Sequence, residues 1–117
     1  MPMRETDFDG TVPVDGYGPG FFRVGGQVHR GPVVVTAQGV QSWGGLSDIA
    51  ALIGLAGRVD VLFLGLGPEI ARPPADLAQA LQAAGIMVEA MATPAAARTY
   101  NVTLSEGRRV ACALIPV

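Results

Sequence analysis

The sequence predicts an α/β fold in which one central sheet is covered on both faces, giving a single three-layer domain. Two patterns carry this prediction. The first third of the chain has short apolar segments punctuated by Gly and Pro, and from residue 47 onward helical and strand patterns alternate. A length of 117 residues also suits one domain with one core. Short connections between the alternating elements imply right-handed crossovers, so that neighbouring strands of the sheet are mainly parallel.

The N-terminal third is predicted to form a β-hairpin region. Residues 1–19 are rich in turn formers and are treated as a segment that precedes the domain at 20–117. Within that segment, residues 11–14 have the composition of a short edge strand, because Pro is tolerated at sheet edges. Gly25-Gly26 is a two-residue hairpin signal between apolar segments. The strands expected in this region are 21–24, 27–30 and 33–36.

Three helices and three strands are predicted after the hairpin region. Each helix has apolar residues at three- and four-residue spacing and a Gly directly after its last turn. Ser47 and Thr93 are the expected N-caps of the first and third helices, and Pro74 is expected to open the second. The strands are apolar. The first is a continuous apolar run bounded by Gly, as expected of a strand buried on both faces. The three strands cover residues 60–64, 86–91 and 108–115.

The charge balance excludes several classes of protein. The chain has 10 acidic residues and 8 basic residues, all of them Arg, so its formal net charge is −2 and it offers no basic stripe for nucleic acid. Its apolar runs are far shorter than the ~20 residues that span a bilayer. Glu5, Asp7 and Asp9 occupy the place of a signal peptide's apolar stretch. We therefore expect a cytoplasmic globular protein without a transmembrane segment.

No cofactor or metal is expected. Gly65-Leu66-Gly67 follows an apolar strand and Glu89 lies 22 residues beyond Gly67, which imitates a dinucleotide-binding motif. However, Ile70 stands where the third Gly is required, and the next helix begins too late to place its N-terminus beside a pyrophosphate. A single His and a single Cys are too few for a zinc site.

The ends of two predicted strands form a candidate ligand-binding crevice. If the strands that end near Gly65 and near Thr93 are parallel neighbours, then Gly65, Gly67 and Thr93 share the edge where open α/β sheets bind ligands. The amino end of the third helix favours an anion, and Arg98 in its second turn can add a guanidinium. The alternative is that Thr93 is only a helix cap and Arg98 only a surface residue.

Side chains that commonly catalyse reactions are scarce. His29 is the only imidazole and lies in the predicted hairpin beside Arg30, whereas Cys112 lies in an apolar run typical of a core. The acidic residues show no calcium-binding pattern. We therefore predict no catalytic residues and favour a protein that is not an enzyme.

Two aromatic residues are candidate interface anchors. Trp43 and Phe22 are of types enriched at protein–protein interfaces, and an apolar outer face on the hairpin would require a partner. A homodimer is a further expectation from the same residues. Packing in the core is the favoured alternative for both side chains.

Several segments, in this order and spacing, resemble the MTH938-like family, which is also catalogued as a domain of unknown function. The resemblance runs from about Gly20 to the C-terminus and implies a β-plus-α/β/α fold. It also implies a mixed central sheet whose last strand is antiparallel to the others. The segments are 22–26, Trp43 after 39–40, 60–65, 93–102 and 106–111, of which 97–101 and 106–111 are the most specific.

The resemblance also bears on function. The family includes a mitochondrial assembly factor for respiratory complex I that works with partner proteins, and it has no established catalytic residues. It therefore implies a non-enzymatic adaptor or assembly factor for a respiratory or other membrane complex, with a protein partner. The alternative is a small-molecule or anion-binding domain, or an enzyme, that uses the crevice at Gly65, Gly67, Thr93 and Arg98.

Overall fold

The chain folds into two sheets and three helices in a computed structural model that describes residues 10–117. The first nine residues of the predicted turn-rich segment lie outside the described residues. The smaller sheet is antiparallel, with the order β1-β2-β3, and Gly25 and Gly26 form the turn between its second and third strands. Its strands are β1 (Val14–Gly18), β2 (Phe21–Val24) and β3 (Gln27–Arg30).

The larger sheet has five strands in the order β5-β4-β8-β6-β7. β4 is antiparallel to both of its neighbours, whereas β8 pairs in parallel with β6 and β6 in parallel with β7. The sheet is therefore mixed, as expected. Its strands are β4 (Val33–Thr36), β5 (Gly39–Ser42), β6 (Val61–Gly65), β7 (Met87–Met91) and β8 (Val110–Leu114).

The helices connect the strands of the larger sheet. They are α1 (Ile49–Ile53), α2 (Ala75–Ala83) and α3 (Thr93–Ser105). Asp48, rather than the predicted Ser47, caps α1, because its Oδ1 accepts the backbone N–H of Ala51 at 3.4 Å. Thr93 is the first residue of α3 rather than its cap, and its hydroxyl is used elsewhere.

Two apolar clusters lie on opposite faces of the larger sheet. Alternate residues of β8 divide between them: Val110, Cys112 and Leu114 face one cluster, and Ala111 and Ala113 face the other. The first cluster contains side chains from α3 and the smaller sheet, and the second contains side chains from α1 and α2. This gives the three layers predicted from the sequence, with β6 and β8 buried on both faces.

Two expectations about the strands are corrected, and one further strand is present. β8 is not antiparallel to the rest of its sheet; it runs parallel to β6, because the α3 crossover returns the chain to the same end of the sheet, and β4 is the strand of opposite direction. β5 was not predicted, since Gly39 and two polar residues interrupt its short sequence. The first strand covers 14–18 rather than 11–14.

The smaller sheet is fastened to α3 by two side chains. Asn101 accepts the N–H of Val14 at 2.9 Å and donates to the carbonyl oxygen of the same residue at 2.7 Å. The hydroxyl of Tyr100 donates to the carbonyl oxygen of Val12 at 2.8 Å. Both residues belong to segment 97–101, one of the two segments that are most specific for the family resemblance. In the structure this segment holds the N-terminal strand against the core.

Candidate functional site

Three of the four residues of the predicted crevice come together. The backbone N–H of Thr93 donates to the carbonyl of Gly67 at 2.7 Å, and the N–H of Gly67 donates to Thr93 Oγ1 at 2.8 Å. Thr93 Oγ1 in turn donates to the carbonyl of Ile115 at 2.7 Å. The hydroxyl thus accepts one hydrogen bond and donates its only proton, and Thr93 is fully buried.

Gly65 makes this junction tight. A Cβ at this position would lie 2.8 Å from the Cα of Thr93, 2.9 Å from its Oγ1 and 3.0 Å from Leu114 Cδ2. The absence of a side chain therefore permits close approach of the exit of β6 to the start of α3. The place where the sequence suggested an open crevice is a packed joint between three segments of chain.

Arg98 faces a different part of the molecule. Its side chain is exposed and lines a groove between α3 and β1, with a volume of about 250 Å³. Tyr17 and Val102, which also line the groove, are 46% and 52% exposed, unusual values for large apolar side chains in this protein. The groove therefore combines an aromatic, an aliphatic and a cationic side chain.

Phe22 and Trp43 are both buried within the chain. Phe22 has no exposed surface and Trp43 only 4%, and the indole Nε1 donates to the carbonyl of Asp48 at 3.0 Å. As placed, neither side chain is available as an exposed anchor, which corrects that interpretation and agrees with the core alternative. The physical reason is that each belongs to one of the two apolar clusters that cover the larger sheet.

The side chains considered for catalysis lie apart in the fold. His29 is in β3 of the smaller sheet, with its Nε2 buried and unpartnered among the described residues, whereas Cys112 is in β8 at the centre of the larger sheet. Complete burial raises the pKa of the Cys112 thiol far above its ordinary value. Cys112 is therefore a neutral core residue and not a thiolate nucleophile.

A second cavity lies at the opposite ends of the parallel strands and was not predicted from the sequence. It has a volume of about 240 Å³ and is bounded by the segments that precede β6 and β8. Arg58, Arg108 and Arg109 line it, and no acidic residue is among its described lining residues. The sequence feature shared by its two sides is a glycine directly before an arginine, at 57–58 and at 107–108, which does not by itself indicate that the two segments are neighbours.

Arg109 connects the two segments that border this arginine-lined cavity. Its Nη2 lies 2.7 Å from Asp60 Oδ1, its Nε donates to Asp60 Oδ2 at 3.3 Å, and its Nη1 donates to the carbonyl of Gly57 at 3.2 Å. The backbone N–H of Asp60 donates to the carbonyl of Arg109 at 2.9 Å. The segment that carries Arg58 is therefore held beside the start of β8.

Two further features are absent from the described part of the chain. Across residues 10–117 no group of three or more His, Cys, Asp or Glu side chains is placed to hold a metal ion. No helix in the same part of the chain is both long and apolar enough to cross a bilayer.

These features define the class of protein: a small three-layer α/β domain with a mixed central sheet. The chain belongs to the family described as "Protein of unknown function (DUF498/DUF598)", whose model matches residues 14–115. An uncharacterized protein of Rhodobacter capsulatus is 53% identical over 117 residues, covering 100% of this chain and 94% of that protein.

One relative and one solved structure add to this assignment. The NADH dehydrogenase [ubiquinone] 1 alpha subcomplex assembly factor 3 of Danio rerio is 36% identical over 121 residues, covering 97% of this chain and 69% of that protein. A Bordetella pertussis protein described as a Mth938-like domain has the same fold, with a TM-score of 0.79 and 28% identity, covering 99% of this chain and 92% of that one. The resemblance to the MTH938-like family is thereby confirmed.

Proposed function

We propose that this protein is a non-enzymatic adaptor that assists the assembly of a respiratory or other membrane complex. The observation that carries the proposal is the similarity to an assembly factor of NADH dehydrogenase, which extends over 97% of this chain. The chain spans 69% of that relative's length, so the shared part is the folded domain described above. An adaptor acts through its surface, and the surface is therefore where the activity is sought.

The groove between β1 and α3 is the contact surface that we favour for the partner protein. Tyr17, Arg98 and Val102 line it, and aromatic and Arg side chains are the types that contribute most at interfaces. Arg98 makes no ion pair within the described residues, so an acidic group of a partner can pair with it. Asn101 fixes the two walls of the groove to each other, which reduces the entropy lost on binding.

Site-specific photocrosslinking in the native cell tests this proposal. The chain has no Lys, so amine-directed reagents cannot modify its side chains, and a photoreactive amino acid at Val102 is the suitable probe. The matched control carries the same probe at Met87, an exposed apolar residue on β7. We expect a discrete product from position 102 only, containing a subunit or another assembly factor of a membrane complex.

Two results would contradict the proposal. Identical products from positions 102 and 87 would show that the groove is not a selective surface. A product containing only a second copy of this chain would support the homodimer, which remains a prediction from the sequence, and would remove the adaptor role from this surface. Arg98→Glu should abolish the product from position 102 if an acidic partner group pairs with the guanidinium.

The alternative function, anion binding at the crevice of Gly65, Gly67, Thr93 and Arg98, has weaker support. The hydroxyl of Thr93 is committed to Gly67 and Ile115, and Arg98 lines the groove beside β1 instead. The alternative stays a prediction from the sequence, as does the cytoplasmic location.

A further inference from the structure

We propose that the arginine-lined cavity binds a small molecule carrying a phosphate group, held between the guanidinium groups of Arg58 and Arg108. This site is separate from the β1–α3 groove and from the crevice predicted from the sequence.

Both arginines directly follow a glycine in a turn that leads to a strand of the larger sheet. Each glycine has a positive φ, +80° at Gly57 and +81° at Gly107; Gly107 follows the end of α3, whereas Gly57 lies in a turn after α1 has ended at Ile53. The N–H of Arg58 donates to Leu55 and that of Arg108 to Thr103, at 2.9 and 3.2 Å. The backbone of each arginine is therefore anchored, and only the side chains need to be ordered by a ligand.

The two guanidinium groups lack acidic partners within the described part of the chain. The ion pair formed there joins Arg109 to Asp60, and it leaves Arg58 and Arg108 without a bound carboxylate. Arg109 is a positioning residue, because its bonds to Gly57 and Asp60 keep the segment of Arg58 next to that of Arg108. Asp60 offsets part of this positive charge, because its carboxylate pairs with Arg109 and also interacts with the charge of Arg108. Three arginines nevertheless line the cavity beside this one carboxylate, and their net positive charge favours the binding of an anion.

The chemistry of the cavity favours a phosphate over a single carboxylate. Each guanidinium presents a planar fork of N–H donors, and two such forks already fill the roughly four acceptor sites of a carboxylate, so any further donor needs the additional oxygens of a phosphate. The opposite rim holds Gln38, whose amide oxygen is within 3.3 Å of Thr36 Oγ1, leaving its NH₂ group as a further donor. The cavity has a volume of about 240 Å³, which is enough for a phosphate and a small attached group.

Titration followed by backbone amide NMR tests the site. Inorganic phosphate and glycerol phosphate are the two probes, each compared with sodium chloride at matched ionic strength. We expect saturable shifts at the amides of Gly57, Arg58, Gly107 and Arg108 that chloride does not reproduce. Arg58→Gln and Arg108→Gln should each raise the dissociation constant about tenfold, because each removes a charge-assisted hydrogen bond.

Arg72→Gln is the matched control, since Arg72 is exposed and outside the cavity. It removes the same charge and should leave the dissociation constant unchanged, and the amide spectra report directly whether each variant is folded. Equal weakening by all three substitutions, or equal shifts with chloride, would reduce the effect to non-specific charge and overturn the proposal. If the protein binds vesicles that contain phosphatidic acid but does not bind glycerol phosphate, the site recognises a lipid headgroup. That result would overturn the proposal of a small soluble ligand.

Discussion

Thr93 shows how much one side chain can determine in this fold. Its hydroxyl joins the loop after β6 to the chain after β8, and its backbone joins the same loop to the start of α3. Because the residue is fully buried, these hydrogen bonds are not exchanged with water, and a lost bond leaves a backbone group unpaired. The sequence singles out this threonine as a candidate ligand-binding residue, and in the structure its hydrogen bonds join the backbone segments around it.

Thr93→Val is predicted to destabilise the protein by about 1–3 kcal/mol. Valine has nearly the same shape, so the loss measures the hydroxyl and its bonds to Gly67 and Ile115. Urea unfolding gives the free energy. Thr99→Val on the same helix is the control, because among the described residues Thr99 Oγ1 donates one weak hydrogen bond, to Met91 Sδ at 3.7 Å. The loss of stability in this variant should stay within about 0.5 kcal/mol. Equal costs for the two variants would contradict the structural role of Thr93.

At the scale of elements, the short segment before β6 and the start of β8 are joined by one ion pair. The hydrogen bond from Arg109, together with the positive charges of Arg109 and Arg108, holds the pKa of Asp60 below its ordinary value of 3.8. A lowered pKa in the folded state means that the ionised carboxylate stabilises the fold above pH 3.8 and that this contribution is lost as the pH falls through the pKa of the folded state. Both side chains are largely exposed, so solvent weakens the effect.

Asp60→Asn is predicted to lower stability at neutral pH and to have almost no effect at a pH well below 3.8, where Asp60 is protonated in the folded and unfolded chains. The measurement is the difference in urea midpoint between the variant and the unchanged protein at the two pH values. Asp76→Asn in the first turn of α2 is a control that lacks an ion pair in the described structure. A difference that is constant with pH would show that Asp60 acts through its shape and not its charge.

At the scale of the whole molecule, the smaller sheet is part of the main core. Val14, Phe22 and Val24 belong to the same apolar cluster as α3 and one face of β8. Trp43 belongs to the cluster on the other face of the larger sheet and is the single tryptophan of the chain. The two clusters are separated by one layer of strands, so we expect them to unfold together.

Phe22→Ala is predicted to lower the free energy of unfolding by about 3–5 kcal/mol. The unfolding midpoint from Trp43 fluorescence and the midpoint from circular dichroism should fall by the same amount. Trp43 is a remote reporter, so coincident shifts indicate one cooperative unit. Val28→Ala on the exposed side of β3 is the control and should change stability by less than about 0.5 kcal/mol. A fluorescence midpoint unaffected by Phe22→Ala would show that the smaller sheet unfolds independently.

The sequence by itself determined the class of fold and most of its elements. The apolar run at 60–64 predicted a strand buried on both faces, and the run at 108–115 predicted the last strand. Gly85 and Gly107 marked the ends of α2 and α3, whereas the expectation that Gly57 ends the first helix is wrong, because α1 ends at Ile53 and is capped by Gly54. These signals are local, because a strand or a helix end depends on residues within a few positions of one another. The segment 97–101 carried the family resemblance, and Tyr100 and Asn101 within it hold β1.

Only the tertiary structure decided the pairing of the strands and the location of the sites. The direction of β8, the pairing of β5 and the burial of Trp43 depend on which segments become neighbours across the chain. For the same reason Arg98 lines a groove beside β1 and does not lie at Gly65, and Arg58 and Arg108 line one cavity although 50 positions separate them in the chain. Contacts between distant segments follow from packing the whole core, and no local pattern of residues encodes them.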